Sequence, residues 1–290
     1  MKTQWRGGEL LLTGIQFDAQ LCLMDSAQSF VWREHKGAYY SVLHDAPIRI
    51  KQVEDGVRIY PVNEAEIEDY LIYLDLLRDY EQLALEYAEY PCIVRAVRML
   101  PGLRVLNQPT WETLLCFILS ANNNVARIRK LTWLLSEHYG ALHMLDDLTL
   151  RSMPSPEVLA QVPEADLRKL GFGYRAPFLI RTAQMVLGGF DLDALRHMDY
   201  EQAHAQLVLL PGVGDKVADC VLLMGCGHAS AFPVDVWVDR LMRAWFPLLR
   251  DCASRTKLQQ AARQLLGEHA GLVQQFLFHC ARCSLIPLEE

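Results

Sequence analysis

No stretch of this 290-residue chain stays apolar for the roughly 18 residues that a membrane span needs. The run from Glu9 to Ile15 is short, carries Glu9 and lacks a signal-peptide cleavage pattern. A protein of the cell interior is expected, without a membrane partner. A disulfide framework is missing too: the eight cysteines sit mostly in apolar stretches, which points to reduced core thiols. Cys280 and Cys283 form the one C-x-x-C. Structural zinc draws its ligands from paired motifs, so this lone pair reads as packing, and no metal is expected. There is no internal repeat and no low-complexity tract.

Basic excess is also absent. A formal net charge of -7 argues on its face against a nucleic-acid partner, because phosphate binding favours a basic surface. The charge is unevenly placed, however. Residues 64–89 hold nine acids against Arg78 alone, and without that segment the chain is near neutral. Residues 95–130 carry Arg95, Arg98, Arg104, Arg127, Arg129 and Lys130 against Glu112. A local basic face therefore stays open to a polyanion, although solvated helix faces account for both runs equally well.

What is present, 51% hydrophobic and 22% charged residues, describes a well-buried globular chain. From Gly8 to Tyr60 short β-type runs alternate with turns: Ser29–Arg33, Ala38–Leu43, Ile48–Lys51 and, after a hairpin-like Glu54-Asp-Gly56, Val57–Tyr60. After Asn63, a candidate N-cap, apolar residues recur at helical spacing as far as the C-terminus, broken by proline and glycine. The reading is α+β. An N-terminal antiparallel sheet domain (1–98) carries a connecting acidic helix at about 64–89, and a helical region (99–290) is large enough for two subdomains with a cleft between them.

The most informative segment is Leu209-Leu-Pro-Gly-Val-Gly-Asp-Lys-Val-Ala-Asp-Cys220. Pro211 stops one helix, Gly212 and Gly214 permit a tight turn, and Val217, Cys220, Val221 and Met224 continue at helical spacing. That is a helix-hairpin-helix over about 203–224. The amides of Gly212, Val213 and Gly214, backed by the positive end of the second helix, suit a phosphate without needing lysine or arginine. A plain αα-hairpin is the structural alternative. Lys216 falls in the first turn of that second helix, where the helix dipole disfavours a cation; a neutral amine is a nucleophile. Nineteen residues later, Phe232-Pro-Val-Asp-Val-Trp-Val238 places Asp235 as the cap of a further helix. If that helix packs back on the hairpin, Asp235 and Lys216 face one cleft.

At these residues the chain resembles the 8-oxoguanine DNA glycosylase/AP lyases of the helix-hairpin-helix superfamily. Further matching strings are Gln28-Ser-Phe-x-Trp-Arg33, Asn122-Asn-Asn-x-Ala-Arg127, Leu167-Arg-Lys-Leu-Gly-x-Gly-Tyr-Arg175 and Gln274-x-x-Leu-Phe278, which together span roughly residues 20–285. The resemblance implies that the lesion is turned out of the duplex, as chemistry at a stacked base requires. It implies Lys216 as nucleophile and Asp235 as its carboxylate partner. It implies a base pocket of Ala27, Cys220, Gln274 and Phe278, with Asn122, Tyr174, Arg127 and Arg175 serving the vacated space and the orphaned cytosine. Taken alone, Phe278 and Cys220 read as core, Asn122-Asn-Asn124 as a helix break and Arg175 as a surface side chain. Two positions depart from the best-known eukaryotic pattern: Ala27 stands for a glycine and Trp237 for a histidine.

The expected partner is duplex DNA containing 8-oxoguanine, bound by a monomer with no cofactor. The expected location is the bacterial cytoplasm and nucleoid, or the nucleus of a eukaryote. Relatives acting on oxidised pyrimidines or mispaired adenine commonly hold an iron-sulfur cluster on four C-terminal cysteines, whereas only Cys280 and Cys283 lie in the last thirty residues here. Such a glycosylase, and a DNA-binding module without catalysis, are the competing readings; the second would not need Lys216 paired with Asp235.

Overall fold

The computed structural model describes residues 1–286. Strands β1 (Lys2–Arg6), β2 (Glu9–Thr13), β3 (Arg33–His35), β4 (Ala38–Leu43), β5 (Ala46–Val53) and β6 (Gly56–Tyr60) form one antiparallel sheet in the order β1-β2-β6-β5-β4-β3. Alternate residues Leu10, Leu12, Ile48, Ile50, Val57 and Ile59 turn inward and are fully buried, as the period of two in a strand requires. Gly56 closes the β5–β6 hairpin where a Cβ would lie 1.9 Å from the Leu12 carbonyl oxygen, so no larger residue fits.

The run Ser29–Arg33 is not a strand; only Arg33 enters β3. Phe30 and Trp32 are buried, and the backbone beside them is satisfied by side chains instead of a ladder. Gln108 Nε2 donates to the Gln28 carbonyl at 2.8 Å, and Gln28 bonds Arg104 O and Leu106 N. Arg104 is buried as well, its guanidinium on the Gln16 and Arg78 carbonyls, and so it adds nothing to a basic surface.

The acidic segment is not one helix either. It divides into α1 (Ile67–Tyr73) and α2 (Glu81–Glu86). Between them Asp75 takes a left-handed backbone (φ +50°), and its carboxylate accepts from Arg78 Nε at 2.9 Å and Tyr80 Oη at 2.6 Å. A carboxylate that organises its own turn competes with helix continuation. Asn63 does start the helical region as its N-cap, and its backbone amide donates to the Glu66 carboxylate at 3.1 Å.

Then follow α3 (Pro91–Met99), α4 (Thr110–Ser120) and α5 (Val125–Tyr139), and after them a hairpin within the helical region, β7 (Leu142–Leu145) and β8 (Leu148–Arg151). It packs Leu145 and Leu150 on Ala38, Tyr40 and Val42 of β4, and Asp146 in its turn accepts from Arg49 at 2.6 Å and Tyr40 at 2.9 Å. The remaining helices are α6 (Pro156–Leu159), α7 (Glu164–Lys169), α8 (Ala176–Leu187), α9 (Tyr200–Leu207), α10 (Asp215–Gly225), α11 (Val236–Trp245), α12 (Arg255–Leu266) and α13 (Ala270–Arg282). Helices α4 to α10 pack among themselves, while α13 packs with α3, α11 and α12. This gives the two helical subdomains, and the cleft lies where α4–α5 and α10 face the N-terminus of α11 and the end of α13.

Helix α10 is fixed by a buried polar network. Asp219, fully buried, accepts from Tyr200 Oη of α9 at 2.6 Å and Gln259 Nε2 of α12 at 3.1 Å, with the Arg263 guanidinium stacked on the Tyr200 ring. Burial pushes the Asp219 carboxyl up from 3.8 to about 6, against these hydrogen bonds and the nearby His204 and Arg263 charges. The folded protein therefore binds this proton more tightly than the unfolded chain. The associated stability, ~3 kcal/mol at most, is present below pH 3.8 and is lost as pH rises through about 6. Asp219→Asn is expected to remove that component from the unfolding free energy measured in urea across pH 4 to 7. Wild-type and variant curves that run parallel over that range would contradict it.

Candidate active site

Pro211 ends the first arm of the hairpin, and Gly212 follows with φ +80°. A Cβ there would also lie 2.6 Å from the Phe178 ring, so glycine is required for both backbone and space. Gly214 is the N-cap of α10 and offers no side chain to its amides, so first-turn N–H groups remain for an external anion. The Val213 amide is different: it donates to the Leu210 carbonyl at 3.1 Å. Of the three amides expected to face a phosphate, that of Val213 is therefore already engaged within the hairpin.

Lys216 lies one residue into α10, and its Nζ donates to Ser120 Oγ at 3.0 Å and sits 5.0 Å from the Phe117 ring centre. Both partners come from the last turns of α4. Asp235 is the N-cap of α11, accepting from the Val238 amide at 2.8 Å. Lys216 and Asp235 line one cleft of about 460 Å³, together with Asn122, Trp237 and Phe278. A narrower cavity of about 50 Å³ beneath it is lined by Lys216, Asp235, Ala27, Cys220, Gln274 and Phe278. The structure thus brings together all six residues assigned to catalysis and base binding.

Burial pushes the Cys220 thiol up to about 11, with the Lys216 ammonium pulling it the other way. Cys220 is therefore a neutral wall of the pocket. Gln274 is buried, and its Oε1 has no hydrogen-bond partner among the described residues. An unpaired buried amide oxygen costs ~1–3 kcal/mol, and a donor on a bound ligand would remove that penalty. Ala27 has φ +59°, the left-handed region that glycine occupies freely and alanine does not.

Across the cleft, Asn122 is exposed with φ +49°, and its Nδ2 donates to Tyr174 Oη at 3.2 Å. Tyr174 is exposed, and its hydroxyl donates in turn to the Ala121 carbonyl at 3.1 Å. Arg175 is not the surface side chain its sequence context allowed. It is buried and grips the carbonyls of Ala121 and Asn122, stacking on the Tyr174 ring. In this state it braces the Asn122 turn. Arg127 remains exposed and reaches the Gly171 carbonyl at 3.4 Å, while Asn124 caps α5 through the Arg127 amide at 2.9 Å. Ser120, Phe117 and Arg255 also line the cleft, and no sequence signal singled them out. The free thiols include Cys280, buried in α13, and the exposed Cys283 just past its end.

The N-terminal-domain profile of the 8-oxoguanine DNA glycosylases matches residues 9–114, and that of the HhH-GPD superfamily of base excision DNA repair proteins matches residues 115–268. The chain belongs to the 8-oxoguanine DNA glycosylases. A probable N-glycosylase/DNA lyase of Methanothermobacter thermautotrophicus is 31% identical over 87% of this chain and 89% of that protein. An N-glycosylase/DNA lyase of Arabidopsis thaliana is 32% identical over 87% and 74%. The Clostridium acetobutylicum 8-oxoguanine glycosylase/lyase, solved with duplex DNA containing cytosine opposite 8-oxoguanine, superposes with a TM-score of 0.91 at 28% identity, covering 99% of both chains.

Within this glycosylase family the two departures have distinct settings. Ala27 lines the inner cavity, and Trp237 stands exposed at the mouth of the cleft, in the first turn of α11. Trp237 thus lies outside the lining of the inner cavity.

Proposed function

We propose that the protein removes 8-oxoguanine opposite cytosine from duplex DNA through a covalent intermediate on Lys216, then cleaves the strand at the abasic site. The reading rests on one observation, the meeting of Lys216, Asp235 and the unpaired amide oxygen of Gln274 at a single cavity beside an anion-ready hairpin. It is a bifunctional DNA glycosylase and AP lyase of base excision repair. Lys216 Nζ bonds to C1′ as the bond from C1′ to the base nitrogen breaks, and the leaving base carries off the bond's electron pair. The Asp235 carboxylate stabilises the positive charge that develops on the sugar. The lysine nitrogen gives up a proton, its lone pair then breaks the C1′–O4′ bond as O4′ is protonated, and the opened sugar is held as a lysine Schiff base, which acidifies the C2′ proton. Removal of that proton expels the 3′ phosphate and leaves the cut strand.

Phe278 and Cys220 face the two sides of the extruded purine, Gln274 reads its Watson-Crick edge, and the Ala27 carbonyl accepts from N7–H. Guanine presents an acceptor at N7, so the same carbonyl rejects it. Asn122, Tyr174, Arg127 and Arg175 serve the orphaned cytosine; the amide of Asn122 and the guanidinium groups supply donors for its acceptor edge. Donors left unpaired cost ~1–3 kcal/mol, so excision opposite cytosine should be about tenfold or more faster than opposite adenine. Single-turnover excision from four duplexes differing in the opposing base tests this. Equal rates in all four would contradict the assignment.

A further inference from the structure

Ala27 is held in a left-handed conformation by residues that lie far from it in sequence. Just before it, residues Leu21–Asp25 form a single π-helical turn, and the three carbonyls at 24, 25 and 26 are each taken by a side chain from the helical region. Arg129 of α5 donates through Nη2 to the Met24 carbonyl, Arg282 of α13 through Nη2 to the Asp25 carbonyl, and Gln275 of α13 through Nε2 to the Ser26 carbonyl at 2.8 Å. On the other side, Gln28 is pinned through its side chain and its own carbonyl. Arg282 does a second thing: its guanidinium lies 5.8 Å from the centre of the Phe278 ring.

We infer that Arg129, Gln275 and Arg282 form a clamp that positions the Ala27 carbonyl, and that the clamp sets selectivity for the oxidised purine. The inference rests on the proposed role of that carbonyl. The physical reason is the alanine itself. A non-glycine residue persists at φ +59° only where its surroundings over-determine it. Three consecutive carbonyls fixed from two helices provide that constraint, and they also satisfy the open end of the π turn. Arg282 additionally couples the two walls of the base pocket, because it touches the strand of backbone before Ala27 and the ring of Phe278. The Asp25 carboxylate is a nearby counter-charge for Arg129, and Gln20 donates to it at 3.0 Å. None of the three clamp residues touches the reacting sugar in this account; they are positioning residues.

The test compares two substrates for one set of variants. 8-Oxoguanine in duplex DNA needs the base pocket, whereas a preformed abasic site needs Lys216, Asp235 and the DNA contacts but has no base to place in that pocket. Arg129→Met with Arg282→Met keeps the aliphatic stems while removing two of the three donors. Single-turnover excision of 8-oxoguanine opposite cytosine should fall about tenfold or more, and cleavage at the abasic site should stay within about twofold of wild type. The ratio of 8-oxoguanine to guanine excision should fall with it. Arg282→Lys, which restores a donor, should recover part of the loss. Gln275→Ala is the single-site check on the third donor, its folding read from the same abasic-site cleavage. Parallel loss on both substrates would overturn the inference, since the arginines would then serve folding or DNA binding. Unchanged 8-oxoguanine excision in all variants would overturn it as well. A wild-type protein that cleaves abasic sites but leaves 8-oxoguanine in place would instead overturn the proposed substrate, and the clamp's role with it.

Discussion

Lys216→Gln should reduce single-turnover excision of 8-oxoguanine on the order of 10³-fold or more, with DNA affinity little changed. The lysine is half-buried at the head of α10, hydrogen-bonded to Ser120 and stacked near Phe117, so its amine is directed into the cleft and not into solvent. Glutamine keeps a polar group that can donate to Ser120 Oγ, which limits structural damage. It cannot form a Schiff base, and strand cleavage at abasic sites should be lost along with excision. Residual lyase activity at the wild-type rate would mean that a different amine carries the chemistry.

For Asp235→Asn the expected loss is on the order of 10²- to 10³-fold in single-turnover rate, with stability and DNA binding retained. The separation is unusually clean at this position because Asp235 has two roles that the substitution divides. As N-cap of α11 it accepts from the Val238 amide at 2.8 Å, and an asparagine oxygen caps equally well. As the partner of the sugar cation it needs full negative charge, which asparagine lacks. Thermal denaturation and binding titration should therefore match wild type while turnover collapses. A melting temperature that falls in step with activity would identify Asp235 as a structural cap alone.

The part of the fold legible in sequence is the part governed by local chemistry. Asn63, Asp235 and the Pro211–Gly214 turn announce caps and a hairpin, because caps and glycine turns are decided within a few residues. Ser29–Arg33 reads as a strand because it holds aromatic and β-branched residues, yet Phe30 and Trp32 are buried by loop packing, with Gln28 and Gln108 supplying the hydrogen bonds. The acidic segment read as one helix because its apolar periodicity continues past Leu74; the break depends on the Asp75 carboxylate finding Arg78 and Tyr80. The hairpin β7–β8 was invisible for the opposite reason. Its strands are four residues each, and two of their five apolar side chains, Leu142 and Met144, are exposed.

The site divides along the same line. Lys216 and Asp235 could be placed from motif spacing, and the pocket residues from resemblance. Ser120, which holds the lysine, and Arg129, Gln275 and Arg282, which hold the turn before Ala27, act across separations of 96 to 257 residues. Ordinary side chains at such distances carry no local pattern, and only the packed chain brings them together.

The most direct measurement of the central claim is borohydride trapping on a duplex carrying a single 8-oxoguanine opposite cytosine, followed by peptide mapping of the adduct. Reduction of the Schiff base should link the protein to DNA in a lesion-dependent manner, with the added mass on the peptide containing Lys216 and none formed by Lys216→Gln. An adduct mapped to another lysine, or one formed by Lys216→Gln at the wild-type level, would contradict the account.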